Sequence, residues 1–139
     1  MKQDISFDPV EGVSVAVVLA EDNALTPDGQ PIWQVYLLNH NAFPLTNVII
    51  NANGYSQPEA GEKVQTSTLR YLFKEVPPHS AVPVEPLDSA LLHLNNQYWV
   101  SYYHGPKIFD KKFIFVPDSI VSDNFTHIAL LDRVGVLHS

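Results

Sequence analysis

Residues 46–54 read TNVIINANG, and their alternation decides the fold class. Val48, Ile50 and Ala52 fall on one side of an extended chain. Asn47, Asn51 and Asn53 fall on the other, with Ile49 as the single interruption. Side chains of a β-strand alternate faces with period two, so this stretch predicts an antiparallel strand with one face in a core and one in water. Upstream, WQVYLLN at 33–39 repeats the pattern, with Trp33, Val35 and Leu37 opposite Gln34, Tyr36 and Leu38. VSVAVVLA at 13–20 is apolar on both faces, which suits a central strand covered on each side. Between them EDNALTPDGQP carries the Pro-Asp-Gly turn signal.

Downstream of a glycine-bearing loop, GYSQPEAGEK, the segment VQTSTLRYLF at 64–73 is ambiguous. Its threonines favour a strand, the leaning adopted here, while Leu69, Leu72 and Phe73 also suit one short helical face. SAVPVEPLD at 80–88 alternates weakly, and Pro83 predicts a place at a sheet edge. YWVSYYH at 98–104 and KKFIFVP at 111–117 flank GPKIFD, read as a hairpin loop. In the tail, Ser122 or Asp123 caps a short helix reaching Leu131, or HIALL forms a last strand; both readings stay open. Eleven prolines cut the chain into pieces too short for many helices. The expectation is one all-β domain over 1–139. It is an antiparallel sandwich, immunoglobulin-like or jelly-roll-like, of seven to eight strands, with residues 1–11 as a flexible lead-in.

Composition narrows function mainly by exclusion. There is no cysteine, which removes disulfides, thiolate metal sites and cysteine nucleophiles. Net charge is −7, which makes nucleic acid an unfavourable partner at long range without forbidding a local basic patch. The imbalance sits in the first half: residues 1–62 hold eight acids and one base, residues 63–139 seven of each. The acidic, polar start and the eight-residue first apolar run predict a cytoplasmic chain without a membrane span.

The stretch LLHLNNQYWVSYYHGPK at 91–107 is the densest in aromatic and histidine residues. On a strand, Tyr98, Val100, Tyr102 and His104 share one face, and Trp99, Ser101 and Tyr103 the other. The plain reading is a central strand. The functional reading is a stacking platform for a sugar or aromatic ligand, built from Trp33, Trp99, Tyr102 and Tyr103. His93 and His104 are the nearest approach to a metal pair, with Glu85 or Asp88 as a third ligand, but no ligand spacing supports them and no metal or other cofactor is expected. The nucleophile elbow and the phosphate-binding glycine motifs are missing, and EDNALTPDG lacks the alternating ligands of a calcium loop. Lys107, Lys111 and Lys112 form the one basic cluster, read as edge protection.

Two stretches, VAVVLAEDN and WQVYLLNHNAFPL, resemble the opening of an uncharacterised β-sandwich domain of bacterial proteins that carry a small MutS-related (Smr-type) nuclease domain. The matching positions are Tyr36, Leu37, Asn39 and Asn41, followed by Leu45. The likeness covers about a quarter of the chain, and within these 139 residues there is no Smr-type domain and nothing resembling its catalytic Asp-x-His signature. It implies a sandwich serving as an accessory or interaction module, and it carries over no catalytic residue. The expected function is therefore a non-enzymatic module binding a protein partner or a second copy of itself. A carbohydrate or small-ligand module is the alternative, and a cryptic hydrolase centred on His93, His104, Glu85 and Asp88 the third.

Overall fold

A computed structural model describes residues 9–21, 24–56 and 63–139. Among the described residues there are nine strands: β1 (Val13–Leu19), β2 (Ile32–Asn39), β3 (Leu45–Tyr55), β4 (Leu69–Val76), β5 (Ser80–Asp88), β6 (Asn95–His104), β7 (Lys107–Phe115), β8 (Thr126–Ile128) and β9 (Arg133–His138). They form two antiparallel sheets, β5-β2-β1-β9-β8 and β4-β3-β6-β7. One buried cluster draws Val15, Val17, Val35 and Leu37 from the first sheet and Ile50, Tyr98, Val100 and Phe113 from the second. The chain is thus all-β and sandwich-like, with the period-two pattern of β3 and β6 pointing its apolar half into that cluster. Among the described residues no helix is long and apolar enough to cross a membrane.

Strand β1 is buried on both faces, as its composition predicts. Val13, Val15 and Val17 enter the central core, while Ala16 and Val18 join Leu38 and Ile128 in a second cluster on the outer side of the five-stranded sheet. Leu130 and Leu131 pack against that second cluster. The C-terminal hairpin β8–β9 therefore closes the outer face.

The tail corrects the sequence expectation. Only a three-residue 3-10 turn, Ser122–Asn124, forms where a helix to Leu131 was one of two readings, and the strand at HIALL stops at Ile128. A further strand, β9, raises the count to nine. Its Gly135 explains the difference: a Cβ there would lie 2.6 Å from the Val17 carbonyl oxygen, so glycine alone lets β9 run this close to β1. Val136 then fills the core.

Two further boundaries move. Strand β4 occupies 69–76 rather than 64–73: residues 64–66 bond to 54–56 only through an isolated Tyr55–Gln65 bridge, one residue out of register with the β3–β4 ladder, where the Thr66 hydroxyl also accepts the Gly54 N–H at 2.8 Å. The hairpin turn is only Gly105–Pro106, since His104 pairs with Lys107. Gly105 has φ +60° and precedes a proline, the pattern of a II′ turn, so residues 107–110 belong to strand β7. Strand β5 does lie at a sheet edge.

Residues 1–8 of the expected flexible lead-in lie outside the described residues, as do 22–23 of the acidic loop and 57–62 of the glycine-bearing one. Residues 10 and 11 are tied down: Val10 packs on the core and the Glu11 carbonyl accepts from Asn41 Nδ2 at 3.1 Å.

The two asparagines of the Tyr-Leu-x-Asn stretch build a corner. Asn39 is fully buried and its Nδ2 donates to the carbonyls of Phe43 (2.9 Å), Pro77 (3.1 Å) and Val76 (3.3 Å). Its Oδ1 accepts from the backbone N–H and the side-chain amide of Asn41. A buried amide with every site occupied fixes the crossing from β2 to β3 against the end of β4.

Candidate functional site

Among the described residues no element covers the outer face of the four-stranded sheet. Cross-strand register sets Leu72 beside Ile49, Ser101 and Asp110, and in the next row Arg70 beside Asn51, Trp99 and Lys112. Leu72 is 68% exposed, and Ile49, Trp99, Tyr103 and Ile108 are also exposed. A run of large apolar groups left in water on one face is more informative than scattered exposed residues. The rings are held in place. Trp99 Nε1 donates to Asp110, the Lys112 ammonium lies 4.5 Å from the Trp99 ring centroid, and Arg70 Nε donates to Asn51 Oδ1 at 3.1 Å.

Charge is concentrated here. Five of the eight lysines and arginines (Arg70, Lys74, Lys107, Lys111 and Lys112) lie on this sheet, with only two carboxylates, Glu75 and Asp110. The sheet is formally +3, while the remaining three bases and thirteen acids give −10. A chain that is acidic as a whole thus has one net basic sheet, with Arg70 and Lys112 in one outer row beside Trp99, Asp110 in the next, and Lys111 turned inward.

A second feature lies where edges β4 and β5 of the two sheets approach. The Glu85 carboxylate accepts the Tyr71 hydroxyl at 2.6 Å and the Tyr98 hydroxyl at 2.8 Å. Its inward position comes from a bulge. Val35 pairs with Glu85 but Tyr36 pairs with Pro83, so Val84 is the extra residue, and Glu85 faces the core side opposite Val35. Burial, with the carboxylate adding to it, raises the hydroxyl pKa of both tyrosines above the usual value of 10. Both are neutral donors at physiological pH, and Glu85 is clasped between the sheets. Beside them opens a cleft of about 240 Å³, lined among others by Asn53, Thr66, Leu69, Leu87 and Asn96.

The expected four-ring platform divides between two faces. Trp33 is buried in the core against the edge of Phe125, and its Nε1 has no hydrogen-bond partner among the described residues. Tyr102 is stacked on Phe109 at 5.1 Å and buried, and burial pushes its hydroxyl pKa up to about 12. Trp99 and Tyr103 alone share the outer face, two rows apart on β6.

The metal candidates are likewise separated. His93 precedes β6 and His104 ends it, so they stand about 30 Å apart along an extended strand. His104 instead stacks on Phe43 at 3.6 Å, Asp88 accepts the Ala90 N–H, and Glu85 holds its tyrosines. Among the described residues no group of three or more His, Asp or Glu is placed to hold an ion. Lys111 turns toward the core side of β7, its ammonium 5.0 Å from the Phe113 ring, an inward charge that blunts that edge.

The sequence missed the inward Glu85 because a bulge leaves no mark in one strand's pattern, although Pro83 and Pro86 on either side signal irregular pairing. Comparison of the chain with protein-family models, with curated proteins and with solved structures finds no significant match.

Proposed function

We propose that this chain is a non-enzymatic interaction module that receives a protein partner on the outer side of its four-stranded sheet. One observation carries the reading: exposed Leu72, Ile49, Trp99, Tyr103 and Ile108 coincide with a formal +3 sheet on a chain of −7. Complementary charge selects and orients a partner, and desolvated aromatic and aliphatic anchors hold it. The scaffold that suits this role is an immunoglobulin-like sandwich. Strands β1–β7 follow the order E-B-A against C′-C-F-G, with β9 and β8 appended beside β1. A jelly-roll would alternate sheets strand by strand, whereas β1–β2, β3–β4, β6–β7 and β8–β9 are hairpins within a sheet.

The test is capture of a partner from cell extract by the intact chain, compared with a Trp99→Ala/Lys112→Glu variant of unchanged circular dichroism. A protein identified on the wild type and lost from the variant supports the reading. A chain that remains strictly monomeric and captures nothing, or captures equally with both forms, overturns it.

A second reading, a small-ligand module, is favoured by the Glu85 cleft and no longer by a shared ring platform. The cleft lining offers a carboxylate, which accepts, and side-chain amides, which both accept and donate, a set that suits a polyol. A glycan array and nuclear magnetic resonance titration of the cleft residues test it, and silence in both removes it. The hydrolase reading gains no support from the dispersed positions of His93, His104, Glu85 and Asp88.

A further inference from the structure

The two sheets have four outer edges, and they are not equivalent. Strand β5 carries Pro83 and Pro86, which lack the N–H needed for pairing. Strand β8 is three residues long. Strand β7 carries three lysines, one of them turned inward. Strand β4 is eight residues long, has no proline, and ends its sheet with nothing paired on its far side among the described residues. Along its middle Arg70, Leu72 and Lys74 are exposed while Tyr71 and Phe73 pack on the core, and Leu69 and Glu75 near its ends are exposed too.

Resting on the docking role proposed above, we propose that β4 receives an extended segment of a partner protein by strand addition. That segment carries acidic residues two positions either side of an apolar one, acid-x-apolar-x-acid. Directly opposed residues of antiparallel strands face the same way with Cβ atoms about 5 Å apart. Such a segment therefore sets its carboxylates against Arg70 and Lys74 and its apolar side chain against Leu72. Backbone bonds supply the attachment, and these three positions supply the selection.

The same register argues against a second copy of the chain. Two β4 strands related by a two-fold axis through Leu72 would set Arg70 against Lys74 twice, and like charges directly opposite are destabilising. Nucleic acid fits less well. Leu72, Ile49 and Ile108 are aliphatic, the two outer rings are two rows apart, and one of them already lies under Lys112.

The experiment uses the full chain and a blocked seven-residue peptide, Thr-Glu-Thr-Val-Thr-Glu-Thr, with a counterpart in which both glutamates are lysine. Amide hydrogen exchange of residues 69–76 and chemical shifts are read at rising peptide concentration. The expected result is slowed exchange along β4 with the acidic peptide, at least about tenfold weaker binding of the lysine peptide, and reversal of that order in Arg70→Glu/Lys74→Glu. These side chains are exposed, so the variant should fold, and its dispersion is checked in the same spectra. Shifts confined to Trp99 and Tyr103 without slowed β4 exchange overturn strand addition while leaving a docking face. Equal response to both peptides, or to neither, overturns the proposal. So does β4 protection that grows with protein concentration alone, which would make the occupant a second copy.

Discussion

The two sheets treat their outer faces in opposite ways. The five-stranded sheet buries Ala16, Val18 and Leu38 under Ile128, Leu130 and Leu131 of the C-terminal hairpin. The four-stranded sheet leaves Leu72, Ile49, Trp99 and Tyr103 in water, with Arg70 and Lys112 flanking the Trp99 row. Both faces carry apolar side chains, so hydrophobicity alone does not distinguish them. What differs is whether the chain supplies its own cover. A face that folding covers should govern stability, and a face left open should govern association.

The largest effect is expected at the hinge of the cover. Gly135→Val drives a side chain into the Val17 carbonyl and should cost about 3 kcal/mol or more, read as a lower urea midpoint, with residues 126–138 exchanging first. A loss confined to a few tenths would mean the hairpin contributes little. Next is Asn39→Ala, which strands the carbonyls of Val76, Pro77 and Phe43 and should cost about 2–3 kcal/mol. Because Asn39 joins the five-stranded sheet to the end of β4, its loss should loosen both faces rather than one.

The buried tyrosine of the Glu85 clasp gives a pH signature. Tyr98 holds its proton more tightly when folded than when unfolded, so the unfolded chain releases a proton first as pH rises. Stability is fully present below pH 10 and falls above it, by about 1.4 kcal/mol per pH unit for this one group. Tyr98→Phe should flatten that alkaline limb of a stability-against-pH curve. An unchanged slope would show that Tyr98 is not the group responsible. The smallest effect on stability is expected on the open face, where Leu72→Ser should change the unfolding free energy by less than about 0.5 kcal/mol. A large loss there would mean that Leu72 packs in the free chain and that the face is not open.

Much of the core between the sheets was legible in residues 13–20, 33–39 and 46–54, because a strand packed on a core writes its environment into every second position. Pro83 marked the edge of its sheet for the same local reason. The hairpin was misjudged by four residues because Gly105 and Pro106 alone complete the turn, leaving polar Lys107 and Asp110 to read as loop. Strand β9 escaped notice because Gly135 reads as a helix stop in isolation; its purpose is a close approach to β1, 118 positions earlier. That seven of the eight bases lie in the second half was plain in the sequence. Their collection on one sheet was not, since that depends on β4 and β7 becoming the two edges of the sheet whose middle is β3 and β6. The aromatic stretch at 91–107 does show two faces, yet which rings meet water depends on Tyr102 stacking on Phe109 and Trp33 packing against the edge of Phe125.

The contrast between the faces is tested most directly by photo-crosslinking from one position on each. A benzophenone amino acid replaces Ser101 in the middle of the open face, or Ala129 at the exposed tip of the covering hairpin, and cells expressing each form are irradiated. The account expects a discrete protein adduct from position 101 and none from 129. Adducts from 129 alone, or equal adducts from both, would contradict it.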